Sequence, residues 1–135
     1  MRRNLLFVMI LLVIGTFNSC KKDVVPLSSS LIGTWELSVD FNGMTGKPTY
    51  HKKGNDTTIK FTASNYQFMI KGNIWRSGTY TVKQDSFSID HTIKSRIIYD
   101  SETGAIRTFY DVSNNQLSFF LDAYDSPSVT YQRIK

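Results

Sequence analysis

Few residues of this sequence have the type and spacing needed for acid–base, nucleophilic or metal chemistry. The two histidines, His51 and His91, lie far apart, and the single cysteine, Cys20, lies near the start. No His-x-x-x-His or Cys-x-x-Cys zinc pattern is therefore possible. Ser88 and Asp90 are close to His91 in sequence, but on a strand they point away from it and cannot form a triad with it. We predict no enzyme activity, no metal site and no cofactor.

Two further polar patterns are better explained by solvation and turns than by catalysis. Residues 52–57 (KKGNDT) lack the glycine spacing of a phosphate-binding loop. Asp122 and Asp125 lie among turn-forming residues, so their carboxylates suit a turn better than general acid catalysis. The formal net charge is +5, and Arg2 and Arg3 supply two of those charges from within the N-terminal segment. The remaining excess gives little support to nucleic-acid binding, and we predict no nucleic-acid partner.

Cys20 is the residue best suited to modification. Arg2 and Arg3 precede an apolar run over residues 5–14, and small or polar residues lead from there to Cys20, which is typical of a secretory signal. The run is short for a membrane span. The surroundings of Cys20 resemble a bacterial lipobox, and the Cys-Lys-Lys-Asp sequence resembles the mature start of lipoproteins of the Bacteroidota. A buried free thiol is the less favoured alternative.

This resemblance implies a division of the chain and a location. Residues 1–19 would be a lipoprotein signal peptide, and Cys20 would carry a lipid anchor in the membrane. Residues 20–30, with Pro26 and three serines, would form a flexible tether, leaving 31–135 as one folded domain. The expected location is the bacterial cell envelope, at the outer membrane and facing either the periplasm or the medium. Without a second cysteine no internal disulfide forms, so stability must come from the core.

The elements that must build this domain are strands. Trp35, Leu37, Val39 and Phe41 alternate strictly with polar residues, which predicts a strand with one buried face. Similar short segments follow at residues 57–62, 66–70, 74–82, 87–93, 96–99, 105–112, 117–121 and 129–134, with a bulge predicted near residues 77–78. No segment has a sustained helical period. The pattern predicts an all-β fold, an antiparallel up-and-down β-barrel of about eight strands, with a two-sheet sandwich as the second choice.

Three short motifs resemble the lipocalin-like group of small barrels. They are Gly33-x-Trp35 at the start of the first strand, Gly78-Thr79-Tyr80, and an arginine in the last strand, Arg133. The resemblance implies that Arg133 stacks on Trp35 across the closed end of the barrel. It also implies an apolar ligand cavity at the open end. Fatty-acid-binding proteins and avidin-like barrels share a similar first-strand motif, so the resemblance indicates architecture more than a particular ligand.

The candidate binding residues follow from the alternation and from a long loop. Residues 42–56 form a polar, glycine-containing segment that either covers the open end or extends into solvent. The side chains predicted to point inward are Trp35, Phe41, Phe61, Tyr66, Phe68, Tyr80 and Phe87. The candidate ligand-binding residues are Met44, Tyr50, Phe61, Tyr66, Phe68, Trp75 and Tyr80.

Two functions remain compatible with the sequence. The first is the binding of a small hydrophobic ligand among these aromatic side chains. The second is a filled barrel that serves as a structural or interaction subunit and contacts another envelope protein. The presence or absence of a cavity distinguishes them.

Overall fold

The described part of the chain folds into a single antiparallel sheet of nine strands. The structure is a computed structural model that describes residues 30–102, 104 and 106–135. Its strands are β1 (Gly33–Asn42), β2 (Lys47–Tyr50), β3 (Thr57–Phe61), β4 (Asn65–Ile70), β5 (Asn73–Ser86), β6 (Ile93–Tyr99), β7 (Thr108–Ser113), β8 (Gln116–Leu121) and β9 (Ser128–Arg133). Within this part of the chain, no helix is long and apolar enough to cross a membrane.

Eight of the strands close into a barrel. The order in the sheet is β2-β1-β3-β4-β5-β6-β7-β8-β9, and β9 also pairs with β1. Apart from β2, each strand therefore lies beside its neighbour in sequence, which confirms the predicted up-and-down β-barrel. The closure leaves no free edge between β1 and β9, and a closed sheet satisfies the backbone groups that an open edge would expose.

The additional strand, β2, lies within the segment predicted to be a loop. Gly33 to Glu36 of β1 pair with β3, whereas Val39 to Asn42 pair with β2 on the other half of the strand. Because β3 is only half as long as β1, the second half of β1 keeps an unpaired edge, and the chain turns back at residues 43–46 to cover it. The expected long loop is therefore a hairpin followed by a shorter loop over residues 51–56.

A bulge at Ser38 interrupts the apolar row of β1. Leu37 pairs with Tyr131 and Val39 pairs with Thr130, so Ser38 has no counterpart in β9. Beyond the bulge the alternation is reversed, and Asp40 lies opposite Val129 on the inner face. The prediction that Val39 and Phe41 continue the inward row of Trp35 is therefore wrong. Phe41 is 38% exposed on the outer side of the barrel.

The bulge predicted near residues 77–78 occurs at a different residue of the β4–β5 hairpin. Phe68 pairs with Arg76 and Met69 with Ile74, so the extra residue is Trp75 rather than Ser77 or Gly78. Gly78 has another role: a Cβ at this position would collide with the carboxylate of Asp100. Glycine is needed there because the backbone of β5 lies directly beneath that side chain.

The prediction of a strand at residues 87–93 is wrong for all of these residues except Ile93. β5 extends to Ser86, residues 87–92 form a turn, and β6 begins at Ile93. Phe87 packs on the outer face, where its ring centroid lies 5.2 Å from that of Phe109 and 5.5 Å from that of Phe120. Phe109 is adjacent to the inward Tyr110 and so faces outward, yet it is fully buried. The turn folds over these outer aromatic rings because they would otherwise be exposed to water.

Side chains fill the barrel near its closed end. The buried residues of the main core are Leu31, Trp35, Ile59, Phe61, Tyr66, Tyr80, Ile97, Tyr110, Leu117, Phe119 and Tyr131. Partly buried residues that pack against this core include Leu37, Phe68, Val82, Tyr99, Val112 and Val129. This apolar core, rather than any covalent link, stabilises the barrel among the described residues.

Candidate ligand pocket at the barrel mouth

One end of the barrel is sealed by the chain that leads into β1. Leu31 is fully buried, and its carbonyl accepts a hydrogen bond of 2.8 Å from Nε1 of Trp35. The guanidinium of Arg133 lies 4.0 Å from the centre of the Trp35 ring, which is the stacking contact that the resemblance implied. Arg133 also donates hydrogen bonds to the carbonyls of Ser30 and Ile32, at 2.9 Å and 2.8 Å. A ligand cannot enter through this end.

Gly33 permits this close packing. Its φ of +144° is unfavourable for residues with a side chain, and a Cβ would lie 2.5 Å from Nη1 of Arg133 and 2.7 Å from the carbonyl oxygen of Lys135. The motif Gly33, Trp35 and Arg133 is therefore brought together in space, and it closes the barrel.

The opposite end of the barrel contains an apolar pocket of about 250 Å³. It is lined by Phe68, Tyr99, Thr108, Phe119, Phe120, Leu121, Pro127, Ser128, Val129 and Tyr131. These residues come from β4 and from β6 to β9 with the turn before β9. Larger hollows of about 460 and 530 Å³ lie elsewhere on the protein, but their linings are mainly polar. Two others have partly apolar linings: one of about 410 Å³ beside Met44 and one of about 360 Å³ beside Tyr124. Of these hollows, the pocket at the mouth has the most completely apolar lining, which suits an apolar ligand best.

Aromatic rings form two walls of this pocket. On one side the ring centroids of Phe68 and Tyr99 are 6.1 Å apart, and on the other those of Phe119 and Tyr131 are also 6.1 Å apart. Trp75 extends the first wall outward, with its ring 5.4 Å from that of Phe68. Each of these rings packs against another ring, so the walls present apolar aromatic surfaces to the pocket.

A basic and acidic cluster borders the first wall. The guanidinium of Arg76 lies 5.7 Å from the centre of the Tyr99 ring and forms ion pairs with Asp100 at 3.3 Å and Glu102 at 3.6 Å. Asp100 also accepts a hydrogen bond of 2.7 Å from the hydroxyl of Tyr66. This hydrogen bond, followed by those from Thr79 and Arg76, lowers the pKa of Asp100, so Arg76 faces an ionised carboxylate at neutral pH.

On the other side of the mouth lies a carboxylate–imidazole pair. Asp40, which the bulge of β1 turns inward, contacts Nε2 of His51 at 2.8 Å. The loop that carries His51 is fixed to β1, because the carboxylate of Glu36 accepts hydrogen bonds from the backbone N–H of Gly54 and Asn55 donates one to the carbonyl of Leu37. This part of the predicted covering loop is therefore tied to the barrel wall.

Burial shifts the pKa values of the tyrosines in the interior. Burial raises the pKa of Tyr131 to about 12, and the carboxylate of Asp40 adds to the effect. The pKa of Tyr99 is raised well above its ordinary value, first by burial and then by the neighbouring Tyr131 and Tyr66. Both tyrosines are neutral hydrogen-bond donors at physiological pH.

The residues predicted to bind a ligand are distributed over three environments. Phe68 lines the pocket, and Trp75 borders it while remaining 61% exposed. Phe61, Tyr66 and Tyr80 are buried in the main core. Met44 and Tyr50 are exposed, on the turn before β2 and at its end. Cys20, the signal segment and the tether up to residue 29 lie outside the described residues.

Several pocket residues were missed by the sequence reasoning. Tyr99, Phe119, Val129 and Tyr131 lie in the last four strands, and each is separated by two positions from another residue that packs in the core. The same alternation that selected Phe68 could have identified them. They were missed because the candidate set was built from the first half of the chain and the long loop.

Among the residues that the structure describes, no group of three or more His, Cys, Asp or Glu side chains is arranged to hold a metal ion.

Comparison of the chain with protein-family models, with curated proteins and with solved structures gives no match.

Proposed function

We propose that this protein is a non-catalytic binding protein that holds a small apolar molecule in the pocket at the barrel mouth. The observation that carries the proposal is the combination of a filled, sealed end with an apolar pocket of about 250 Å³ at the other end. A barrel whose only role was structural would have no need to leave its mouth unfilled, because unfilled apolar space costs stability.

The volume limits the ligand. Pockets for drug-sized ligands usually measure about 300–1,000 Å³, whereas a cavity of about 150 Å³ accommodates benzene. The pocket of this barrel lies between these values. It suits a molecule with one or two rings, or one end of a longer chain whose remainder extends past Trp75 into solvent.

The alternative, an interaction subunit that contacts another envelope protein, is supported by one feature. Three apolar side chains at the end of the β4–β5 hairpin are exposed: Ile70 at 45%, Ile74 at 54% and Trp75 at 61%. They lie beside the mouth, so a partner bound there would cover the pocket. We rank this function second because these residues are few and also serve as the rim of the pocket.

The ligand proposal is tested by extracting small molecules from the protein purified from its own cells. Leu121→Trp places a large ring in the pocket, and Ile93→Trp is the matched control, because Ile93 is 67% exposed and lies outside the pocket lining. We expect a small apolar molecule, detected by mass spectrometry, from the wild type and from Ile93→Trp but not from Leu121→Trp. Equal amounts from all three proteins, or none from any, would contradict the proposal.

We further propose that the barrel is anchored to the outer membrane through a lipid on Cys20. The supporting observations are the signal-like sequence before Cys20 and the position of Ser30, which Arg133 holds at the sealed end. The tether would therefore join the barrel opposite the mouth. Cys20→Ser should move the protein from the membrane fraction to the soluble fraction. Retention of a normally processed Cys20→Ser protein on membranes in high salt would count against anchoring.

A further inference from the structure

Two tyrosine hydroxyls in the pocket have no hydrogen-bond partner among the residues that the structure describes. Tyr99 and Tyr131 both line the pocket, and Tyr131 is only 8% exposed. By contrast, the hydroxyl of Tyr80 donates to the carbonyl of Thr62 at 2.6 Å, and that of Tyr66 donates to Asp100 at 2.7 Å. Neither hydroxyl is a fully buried, unpaired atom, so both reach the open space of the pocket and can donate a hydrogen bond to a ligand that enters it.

Tyr99 and Tyr131 both contribute to the lining of the same pocket. Tyr131 is one of the groups that raise the pKa of Tyr99, after burial itself. Their rings belong to opposite walls of the pocket, which are formed by Phe68 with Tyr99 and by Phe119 with Tyr131. A ligand held between the two walls therefore meets a hydroxyl donor on each of them.

The surrounding charges favour a neutral acceptor over an anion. The carboxylate of Asp40 acts on Tyr131 from the inner face, and a ligand carboxylate near Tyr131 would be repelled by it. On the other side, Arg76 is already paired with Asp100 and Glu102 at 3.3 Å and 3.6 Å, so its charge is largely balanced. No free cation of the pocket lining is available to a ligand anion among the described residues.

We infer that the ligand is a neutral molecule with an apolar body and a carbonyl-type acceptor, such as a ketone, ester or amide, that receives hydrogen bonds from Tyr99 and Tyr131. The inference rests on the proposed binding function and specifies the chemistry of that same pocket. The apolar body lies against the aromatic walls, and the acceptor satisfies the two hydroxyls. A ligand with a carbonyl therefore gains an interaction that a hydrocarbon of equal size does not.

Three probes with the same ring system test the inference: naphthyl methyl ketone, ethylnaphthalene and naphthoate. Their affinities for the purified full-length protein are measured by isothermal titration calorimetry. The variants are Tyr99→Phe and Tyr131→Phe, and Tyr124→Phe is the control because Tyr124 is 78% exposed and lies outside the pocket lining. Each phenylalanine keeps the ring and removes only the hydroxyl, so the pocket retains its shape.

We expect the wild type and Tyr124→Phe to bind the ketone more tightly than the hydrocarbon and the carboxylate. Each pocket variant should weaken ketone binding by about threefold to tenfold without weakening hydrocarbon binding. Equal affinity for ketone and hydrocarbon, or an unchanged ketone affinity in both pocket variants, would overturn the inference while leaving the binding pocket intact. Tighter binding of naphthoate would overturn the preference for a neutral ligand. Failure of all three probes to bind would contradict the proposed function itself.

Discussion

At the scale of single residues, the buried tyrosines differ in whether the protein satisfies their hydroxyls. Tyr80 and Tyr131 are almost equally buried, at 4% and 8% exposure. Tyr80 donates to the carbonyl of Thr62, whereas Tyr131 has no partner among the described residues. Removing a satisfied hydroxyl leaves its former acceptor unpaired, whereas removing one that reaches the open space of the pocket leaves no protein group unpaired. The same substitution should therefore reduce stability more at Tyr80 than at Tyr131.

Tyr80→Phe should lower the free energy of unfolding by about 1–2 kcal/mol, because the carbonyl of Thr62 loses its side-chain donor. Tyr131→Phe should leave the free energy of unfolding nearly unchanged. Urea denaturation of the two variants and the wild type measures the difference. A loss at Tyr131 as large as that at Tyr80 would mean that the protein itself satisfies the Tyr131 hydroxyl, and the argument for a ligand acceptor would fail.

At the scale of elements, the sealed end depends on one arginine that joins β9, β1 and the preceding segment. Arg133→Ala removes the contact with Trp35 and two hydrogen bonds to the carbonyls of Ser30 and Ile32. It should lower the free energy of unfolding by about 1–3 kcal/mol, since the contact with the ring alone contributes about 0.5–2 kcal/mol. Thermal and urea unfolding measure this loss.

Arg133→Lys is the matched control for the closure. Lysine keeps the charge but lacks the planar fork that reaches both carbonyls while stacking on the ring, so it should recover only part of the lost stability. Full recovery of the free energy of unfolding in Arg133→Lys would show that a positive charge alone is sufficient to stabilise the closed end. No loss in Arg133→Ala would show that the packing of Trp35 and Leu31 seals the barrel without the arginine.

The strands and bulges also show which parts of the fold could be predicted from the sequence alone. The alternation of apolar residues predicted most strands of the barrel, because burial of one face imposes a period of two on a strand. The closed barrel was predicted from the number of such strands, their short turns and the lipocalin-like motifs. The alternation could not locate the bulges at Ser38 and Trp75, since a bulge depends on the register of the partner strand. It also placed Phe87 inside the barrel, because periodicity does not distinguish the inner face from an outer face covered by a turn. Of the residues that line the pocket, only Phe68 was among the predicted candidates, because those candidates came from the first half of the chain and the long loop.

At the scale of the whole molecule, the barrel contains five tyrosines whose pKa values are raised, so that they are neutral at physiological pH. Burial raises the pKa values of Tyr66, Tyr80, Tyr99, Tyr110 and Tyr131, that of Tyr131 to about 12. A tyrosine with a raised pKa in the folded state contributes its full stability below the unfolded value of about 10. That contribution is lost as the pH rises through the folded pKa, because the unfolded chain releases its protons first. Several such groups acting together should make alkaline unfolding cooperative.

Between about pH 10 and 12, we therefore expect a steep loss of stability. Absorbance at the tyrosinate wavelength should rise together with the loss of circular dichroism, since the buried tyrosines ionise when the barrel opens. Tyr131→Phe should shift this transition to higher pH. Smooth ionisation of all seven tyrosines while the circular dichroism stays constant would contradict the burial of these residues.

The central claim is that the mouth of the barrel holds one small apolar molecule. It is tested most directly by titrating the isotopically labelled full-length protein with naphthyl methyl ketone, a neutral molecule with two fused rings, and following the backbone amides by NMR. We expect shifts that saturate at one ketone per protein and centre on Phe68, Phe119 and Val129. Shifts that do not saturate, or that are confined to the exposed Ile74 and Trp75, would contradict it.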